Sequence, residues 1–304
     1  MKTKSKAVSF KEIQKFLPDG TFTFKGDAKK VKLTHVCALP DATAVSLTWL
    51  KPGAKLDSAY VSRLHAGLMI VEKNTGEEWL NPSGNYLFVS DPKLAFAEIV
   101  NHFFSPPAKP FKHRSAVISK KAKIGKNVHI GPNVVIGNSS IGDNTRLEGN
   151  IYIYDNVSIG KNCIIHAGCV IGAPGSGYAK KENGEWIRFP QIGKTVIEEN
   201  VEVGALTYIN KGALGETRIK SGAKIGLSVC IGHNVTIGKN AMIIANCVIA
   251  GSTVVGDHAW VSHGAMIRNS LKLGENSFVG MGAVVVKDVA EGTTVFGNPA
   301  REKK

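Results

Sequence analysis

The residues whose types and spacing could do chemistry are a histidine and a glycine in a repetitive part of the chain. His233 follows an isoleucine–glycine pair in "CIGHNVTIG", and Gly251 lies 18 residues later in "IAGST". An imidazole can accept a proton from an attacking amine or hydroxyl. A glycine N–H, which no side chain covers, can donate to the oxyanion of a tetrahedral intermediate. The pair could therefore support acyl transfer if both residues face one cleft; alternatively, His233 is a polar residue at a solvated corner.

The elements that would position this pair are predicted by a repeat of six residues. A period of six fits neither a helix nor an alternating strand, but it fits a solenoid in which each hexapeptide forms one flat face and a turn. Three faces would make a winding of 18 residues and place Gly251 beside His233, at the ~4.8 Å spacing of parallel strands. The longest series of branched apolar residues at this period is Ile219, Ile225, Ile231, Ile237, Ile243, Ile249, Val255, Val261, Ile267, Leu273, Val279 and Val285.

The pattern changes along the chain and predicts two domains in a mainly β protein. Residues 1–104 read as a small α/β domain, with helices at "VSFKEIQKFL" and "DPKLAFAEIVNHFF" and strands at "ATAVSLTWL" and "AGLMIVEK". A proline-rich linker follows at 105–112. The hexapeptide pattern indicates a parallel β-helix over 113–289, and 290–304 form a C-terminal tail.

Two segments interrupt the repeat. Residues 172–194 form a long insertion that carries Tyr178, Trp186 and Phe189, and the period slips again after Ile209, beside Asn210. Loops that a rigid scaffold holds in place often carry binding residues. The insertion is therefore a candidate substrate contact, although it could also be a bulge with no function.

Charge and composition narrow the classes of partner. The net charge of +14, from 38 basic and 24 acidic residues, favours anionic partners. The basic residues are scattered and are not interleaved with aromatics, which argues against nucleic acid. No apolar run reaches transmembrane length, so we expect no stable membrane insertion. The five cysteines lack metal-ligand spacing, which predicts no metal site and a reducing cytoplasmic location.

Several motifs in order resemble one enzyme family. The segments "IIHAGCVIGAPGSG", "PQIG", "KGALGET" and "GHN" closely resemble the UDP-3-O-acylglucosamine N-acyltransferases of lipid A synthesis, over about residues 9–285. The resemblance implies a left-handed hexapeptide-repeat β-helix, an N-terminal domain that binds the nucleotide sugar, and a homotrimer with sites between subunits. It implies no bound cofactor. The implied reaction moves an acyl group from a thioester to the amino group of a nucleotide-linked sugar, with His233 as general base and Gly251 as oxyanion donor.

The sequence also departs from the family. The aspartate that usually lies seven residues before the base is Gly226 here, and Glu216 and Asn210 are candidates to replace it. A second histidine of the family, which helps to bind substrate, aligns with Ser270. Trp49 is an aromatic available to the nucleotide base, although it could equally be a core residue. The candidates for substrate binding are Asn234, Tyr178, Trp186, Phe189, Asn210, Ser270 and Trp49.

The identity of the acyl donor stays open. The family match implies an acyl carrier protein, whereas the C-terminal "FGNPA" resembles the ending of coenzyme A-dependent acetyltransferases of amino sugars. Asn298 and Pro299 are therefore candidates to contact coenzyme A, unless they form a plain turn that ends the last winding. Two alternatives remain for function: an acetyl- or short-acyl-coenzyme A-dependent acetyltransferase of nucleotide amino sugars, or a non-catalytic hexapeptide-repeat trimer that binds its ligand without turnover.

Overall fold

The computed structural model describes residues 7–53, 58–76, 78, 80–105 and 109–303. The chain divides into two compact units, Met1–Pro107 and Ala108–Lys304. Residues 106–108 of the predicted linker and Lys304 of the predicted tail lie outside the described residues.

The first unit is a five-stranded sheet with helices. Its elements are β1 (Val8–Ser9), α1 (Phe10–Phe16), β2 (Phe22–Lys25), β3 (Lys32–Leu33), β4 (His35–Val36), a 3₁₀ turn (Leu39–Asp41), β5 (Ser46–Trp49), α2 (Ser58–Val61), β6 (Leu68–Glu72), β7 (Tyr86–Val89) and α3 (Pro92–Phe103). The sheet has the order β2–β7–β6–β5–β4, in which β4 to β7 are parallel and β2 is antiparallel to β7, while β1 pairs with β3. The two helices and two strands predicted from the sequence are confirmed as α1, α3, β5 and β6.

Local sequence sets the ends of these helices. Ser9 and Glu12 form a reciprocal capping box that begins α1, and the Asp91 carboxylate accepts the Leu94 N–H at 3.0 Å to begin α3. The first four residues of β6 are buried, as expected for a central parallel strand with both faces covered. Within the described residues, no helix combines the length and the apolar character needed to cross a membrane.

The second unit is a parallel β-helix with three sheets, here called face 1, face 2 and face 3. Face 1 contains β8 (Phe111–Lys112), β11 (His129–Ile130), β14 (Arg146–Leu147), β17 (Ile164–Ile165), β22 (Glu202–Val203), β25 (Lys224–Ile225), β28 (Met242–Ile243), β31 (Trp260–Val261), β34 (Phe278–Val279), β36 (Thr294–Phe296) and the antiparallel β37 (Arg301–Glu302). Face 2 contains β9 (Val117–Ile118), β12 (Val135–Ile136), β15 (Tyr152–Ile153), β18 (Val170–Ala173), β23 (Tyr208–Asn210), β26 (Cys230–Ile231), β29 (Val248–Ile249), β32 (Met266–Ile267) and β35 (Val284–Val285). Face 3 contains β10 (Lys123–Ile124), β13 (Ser140–Ile141), β16 (Val157–Ile159), β21 (Lys194–Ile197), β24 (Glu216–Ile219), β27 (Thr236–Ile237), β30 (Val254–Val255) and β33 (Lys272–Leu273).

The core of the β-helix is built from the residues that the hexapeptide pattern singled out. All twelve members of the Ile219–Val285 series are at most 3% exposed. The residue two positions earlier, such as Ala223 or Cys247, is at most 5% exposed and lies beside it. The corners turn through residues with positive φ, often asparagine, which tolerates the left-handed region better than branched residues do. The solenoid prediction is therefore confirmed.

Two predicted boundaries of the β-helix need correction. The solenoid was expected over 113–289, but Phe111–Lys112 already pairs with His129–Ile130. At the other end, Thr294–Phe296 extends face 1 by pairing with Phe278–Val279, so this part of the predicted tail belongs to the β-helix. Both strands were missed because backbone pairing continues where the six-residue spacing of branched side chains stops.

Candidate active site

His233 and Gly251 are neighbours on successive windings. The strand before His233 pairs with the strand before Gly251 in a register of 18 residues, Ile231 with Ile249. His233 is half-buried at the corner between face 2 and face 3, and its carbonyl accepts the Ser252 N–H at 2.8 Å. A Cβ built on Gly251 would lie 2.7 Å from Nε2 of His233. The imidazole therefore lies against the backbone of Gly251, as the spacing predicts, and any side chain at position 251 would displace it.

The Gly251 N–H is available to a ligand. Among the residues that the structure describes, no acceptor pairs with this N–H. At the equivalent position of an earlier winding, the Asn138 N–H donates to the Asp155 carboxylate at 2.6 Å. Asn269 lies one winding beyond Gly251, in the position that Asp155 occupies relative to Asn138. It makes no such bond in the described structure. The corner next to His233 thus presents a free donor, which is what an oxyanion site requires.

Asn234 sets the orientation and the tautomer of His233. Its Oδ1 accepts the Ala213 N–H at 2.9 Å, which identifies that side-chain atom as the oxygen. Nδ1 of His233 lies 3.1 Å from the same Oδ1. Because an amide oxygen only accepts hydrogen bonds, Nδ1 is the donor in this contact, and in the neutral imidazole Nε2 then carries the lone pair beside Gly251. Asn234 therefore contacts Nδ1 in this chain, whereas the family that the sequence resembles is expected to have an aspartate at the position of Gly226.

The two residues expected to replace that aspartate do not contact Nδ1. Glu216 instead accepts from Arg218 Nε at 2.6 Å and pairs with Lys194 at 3.2 Å. The Arg218 hydrogen bond, together with Lys194, lowers the pKa of Glu216. Asn210 ends β23, and among the described residues its side chain shares no hydrogen bond with His233. The prediction that Glu216 or Asn210 orients His233 is wrong, because the neighbouring Asn234 reaches Nδ1 from the same corner.

The beginning and end of the insertion meet at His233. A Cβ built on Gly175 would lie 3.2 Å from Cδ2 of His233, 3.4 Å from Oε1 of Gln191 and 3.5 Å from Nδ2 of Asn210. Oε1 of Gln191 is buried and has no hydrogen-bond partner among the described residues. Gln191 was not predicted as a site residue, although it belongs to the "PQIG" motif. That motif was the only signal in the sequence that could have found it.

The middle of the insertion is a hairpin of β19 (Tyr178–Lys180) and β20 (Trp186–Arg188). Tyr178 and Trp186 are exposed and form cation–π pairs within the hairpin, with Arg188 and Lys180, each at 5.8 Å. Phe189 follows the hairpin, and its Cβ lies 3.3 Å from a Cβ built on Gly177. The three aromatics predicted to bind substrate are thus held by the insertion, whose ends, rather than its hairpin, reach His233.

The remaining predicted residues lie at other places. Ser270 is exposed at the same corner, and its N–H donates to the Gly251 carbonyl at 2.9 Å. Trp49 packs in the core of the first unit, with its ring 6.1 Å from that of Phe96. Asn298 and Pro299 are exposed in the turn after β36. The next residue, Ala300, donates its N–H to the Val284 carbonyl of face 2. Val284 lies three windings beyond the strand that precedes His233, which is about 14 Å along the axis of the β-helix.

The fold and repeats are those of the hexapeptide transferase class. The family model "Bacterial transferase hexapeptide (six repeats)" matches residues 138–173, and "Hexapeptide repeat of succinyl-transferase" matches residues 228–268. The second match contains both His233 and Gly251. These matches confirm the predicted resemblance to hexapeptide-repeat acyltransferases.

Individual relatives are more specific. The chain is 49% identical over 85 residues, 28% of its length, to UDP-3-O-acylglucosamine N-acyltransferase of Methylobacillus flagellatus, and 45% identical over 96 residues, 31% of its length, to the enzyme of that name from Delftia acidovorans. The matched segments span only 24% and 28% of these relatives, about a quarter of their length. The solved structure of UDP-N-acetylglucosamine acyltransferase from Francisella novicida is similar at 28% identity, with a TM-score of 0.56 over 63% of this chain and 69% of that one.

Proposed function

We propose that this protein is an N-acyltransferase that moves an acyl group from a thioester to the amino group of a nucleotide-linked amino sugar, in lipid A or surface-glycan synthesis. The observation that carries the proposal is that Nε2 of His233 lies against the backbone of Gly251, whose N–H has no acceptor among the described residues. The names of the sequence relatives support N-acyl transfer to a nucleotide-linked amino sugar. The pathway rests on the resemblance of the sequence motifs to the enzymes of lipid A synthesis. The solved structure of an acyltransferase for a related nucleotide sugar supports the same class.

The pair performs acyl transfer in two steps. The sugar amine attacks the thioester carbonyl carbon, a C–N bond forms, and Nε2 of His233 takes a proton from the nitrogen. The carbonyl oxygen becomes an oxyanion that accepts the Gly251 N–H. When the intermediate collapses, the C–S bond breaks and the sulfur leaves with the proton from Nε2. A general base contributes roughly 10²- to 10⁴-fold, and an oxyanion donor roughly 10²- to 10³-fold.

The thioester donor is an acyl carrier protein or coenzyme A. Both carry negative charge, which suits a chain with a net charge of +14. Contact of Asn298 and Pro299 with a donor requires that the donor extend about three windings from His233, or about 14 Å. The first unit binds the nucleotide sugar in this proposal.

The working form is a homotrimer in the cytoplasm. Face 2 presents exposed apolar side chains, among them Tyr152, Tyr208 and Met266, which a second copy of the chain would cover. Five free cysteines, three of them buried, suit a reducing compartment. Insertions from neighbouring copies would then complete each site.

Thioester consumption tests the proposal directly. The full-length chain is assayed with acyl carrier protein thioesters and with long- and short-chain acyl-coenzyme A, against UDP- and dTDP-linked amino sugars. The matched control is the same set of sugars with a hydroxyl in place of the amine. We expect turnover of at least one amino sugar and none of its hydroxyl counterpart. Binding of a nucleotide sugar without turnover of any thioester would contradict the proposal and support the non-catalytic alternative.

A further inference from the structure

The first winding of the β-helix, residues 111–128, concentrates positive charge. It contains β8, β9 and β10, one strand on each face. No Asp or Glu occurs between Glu98 and Asp143, so the basic residues of this winding have no acidic neighbour in sequence. All six of them are exposed, and we call them the basic collar: Lys112, Arg114, Lys120, Lys121, Lys123 and Lys126.

The basic collar surrounds the winding. Lys112 lies on the strand of face 1 and Lys123 on the strand of face 3. The other four members lie at the corners between the strands. Because these residues are spaced along the sequence, they read there as scattered, but one turn of the solenoid brings them to the same level of its axis. The collar therefore presents positive charge on each side of the β-helix.

The charges of the collar are not compensated. Among the residues that the structure describes, none of the six side chains pairs with a carboxylate, whereas later windings pair Lys161 with Glu199 at 3.1 Å and Arg218 with Glu198 at 2.7 Å. Asp143 on the next winding is engaged by the backbone N–H of a collar residue, at 2.6 Å. An uncompensated cluster of this kind attracts anionic partners.

Two apolar side chains accompany the collar. Phe111 on face 1 lies in register with His129 of the next winding, and Val117 on face 2 lies in register with Val135. Phe111 is 48% exposed and Val117 is 63% exposed. Apolar groups flanked by lysine and arginine are typical of surfaces that bind at the headgroup level of a bilayer.

We propose that the basic collar docks this protein on the surface of an anionic phospholipid bilayer, with lipid phosphates at the collar and with Phe111 and Val117 among the headgroups. The contact is peripheral and needs no membrane-spanning segment. Clusters of four to eight basic residues bind anionic lipid surfaces, and each residue near the surface strengthens binding roughly fivefold. The inference does not depend on the proposed reaction, because it uses only the charge and exposure of the first winding.

The collar suits a lipid surface better than it suits other polyanions. Proteins that bind single-stranded nucleic acid combine cations with aromatic rings on which bases stack. Phe111 is the only Phe, Tyr or Trp of this winding. An acidic protein would cover one side of the β-helix and leave the cations of the other corners without a partner. Lipids are mobile, so anionic headgroups can gather at whichever side of the collar meets the bilayer.

Co-sedimentation of the full-length chain with vesicles tests the inference. Vesicles of phosphatidylglycerol and phosphatidylcholine in equal parts are compared with vesicles of phosphatidylcholine alone. We expect the partition coefficient to be about tenfold or more higher on the anionic vesicles and to fall as salt is added. The collar variant carries Lys112→Gln, Lys121→Gln and Lys126→Gln, and the matched control carries Lys239→Gln, Lys272→Gln and Lys287→Gln, which neutralise exposed lysines of later windings.

The two triple variants have the same net charge, so they separate the collar from the charge of the whole chain. We expect the collar variant to lose about tenfold or more of its partition coefficient on anionic vesicles, and the control to lose about threefold or less. Phe111→Ser should weaken binding several-fold, because it removes an apolar group from the headgroup level. Its control, Phe278→Ser, changes a phenylalanine of face 1 that is 41% exposed and should leave binding unchanged.

Three results would overturn the inference. Equal partition onto the two kinds of vesicle would show that anionic lipid is not recognised. An equal loss in the collar variant and its control would assign binding to net charge alone. Tighter binding to duplex DNA than to anionic vesicles at the same salt, lost only in the collar variant, would assign the collar to nucleic acid. Because vesicle binding needs neither a thioester nor an amino sugar, these results are distinct from failure of the proposed reaction.

Discussion

At the scale of the residue, the carboxamide of Asn234 orients the candidate base, His233. Asn234 holds Nδ1 of His233 through an oxygen that is itself fixed by the Ala213 N–H. An amide can select a tautomer but, unlike a carboxylate, adds no negative charge to stabilise the imidazolium. The chain thus keeps the geometry of a base with an orienting partner while lacking the charge of that partner.

Asn234→Gly tests this role without straining the backbone, because Asn234 has φ 59° and glycine accepts that conformation. We expect kcat to fall by about tenfold, which corresponds to the free energy that one hydrogen bond contributes, with little change in KM. Asn246→Gly, at a corner with φ 61°, is the matched control and should leave kcat unchanged.

A second variant separates positioning from folding. Asn234→Asp keeps the acceptor oxygen, so we expect it to retain the rate that Asn234→Gly loses. Its carboxylate also stabilises the imidazolium, which moves the acidic limb of the pH–rate profile to higher pH. A pH–rate profile identical in Asn234→Asp and wild type would show that Asn234 does not act through His233.

At the scale of the element, a charged cluster of His166, Glu148 and Glu202 joins three windings of face 1. His166 lies between Glu148, 3.1 Å from Nδ1, and Glu202, 2.8 Å from Nε2. Burial opposes the charged imidazole, but the hydrogen bonds to Glu202 and Glu148 outweigh burial and raise the pKa of His166. This stabilisation is fully present below about pH 6.5, the pKa of an unfolded histidine, and is lost as pH rises through the higher pKa of the folded state.

His166→Gln should therefore destabilise the β-helix in a pH-dependent way. We expect the free energy of unfolding to fall by about 1 kcal/mol at pH 6, the upper end for a partly exposed pair, and by less at pH 9. Denaturant titrations of both proteins at the two pH values measure the difference. A loss that is equal at both values, or larger at pH 9, would show that the charge on His166 does not stabilise these windings.

The elements were predictable where the sequence is periodic. Ile231 and Ile249 fix the register that brings His233 to Gly251, because a branched side chain at every sixth position has only the core to point into. The contact of Gly175 and Gln191 with His233 could not be predicted. The insertion has no period, so the sequence gives no register between its two ends, and hydrogen bonds to the slipped segment decide where they lie.

At the scale of the whole molecule, the mainly β class and the parallel solenoid could be predicted from the composition and the six-residue repeat. The limits of the solenoid at Phe111 and Phe296 could not be predicted in this way, because its terminal strands pair through backbone groups. The net charge of +14 is consistent with an anionic donor. The scaffold of this protein is therefore predictable from its sequence, whereas the candidate site depends on its irregular segments.

The central claim is that His233 is the general base of acyl transfer, and the rate of thioester consumption in the full-length chain tests it most directly. His233→Ala is compared with His258→Asn, a substitution of an exposed corner histidine with φ 57° on the same β-helix. We expect a fall in kcat/KM of roughly 10²-fold or more for His233→Ala and no change for the control. A loss below about tenfold in His233→Ala would contradict it.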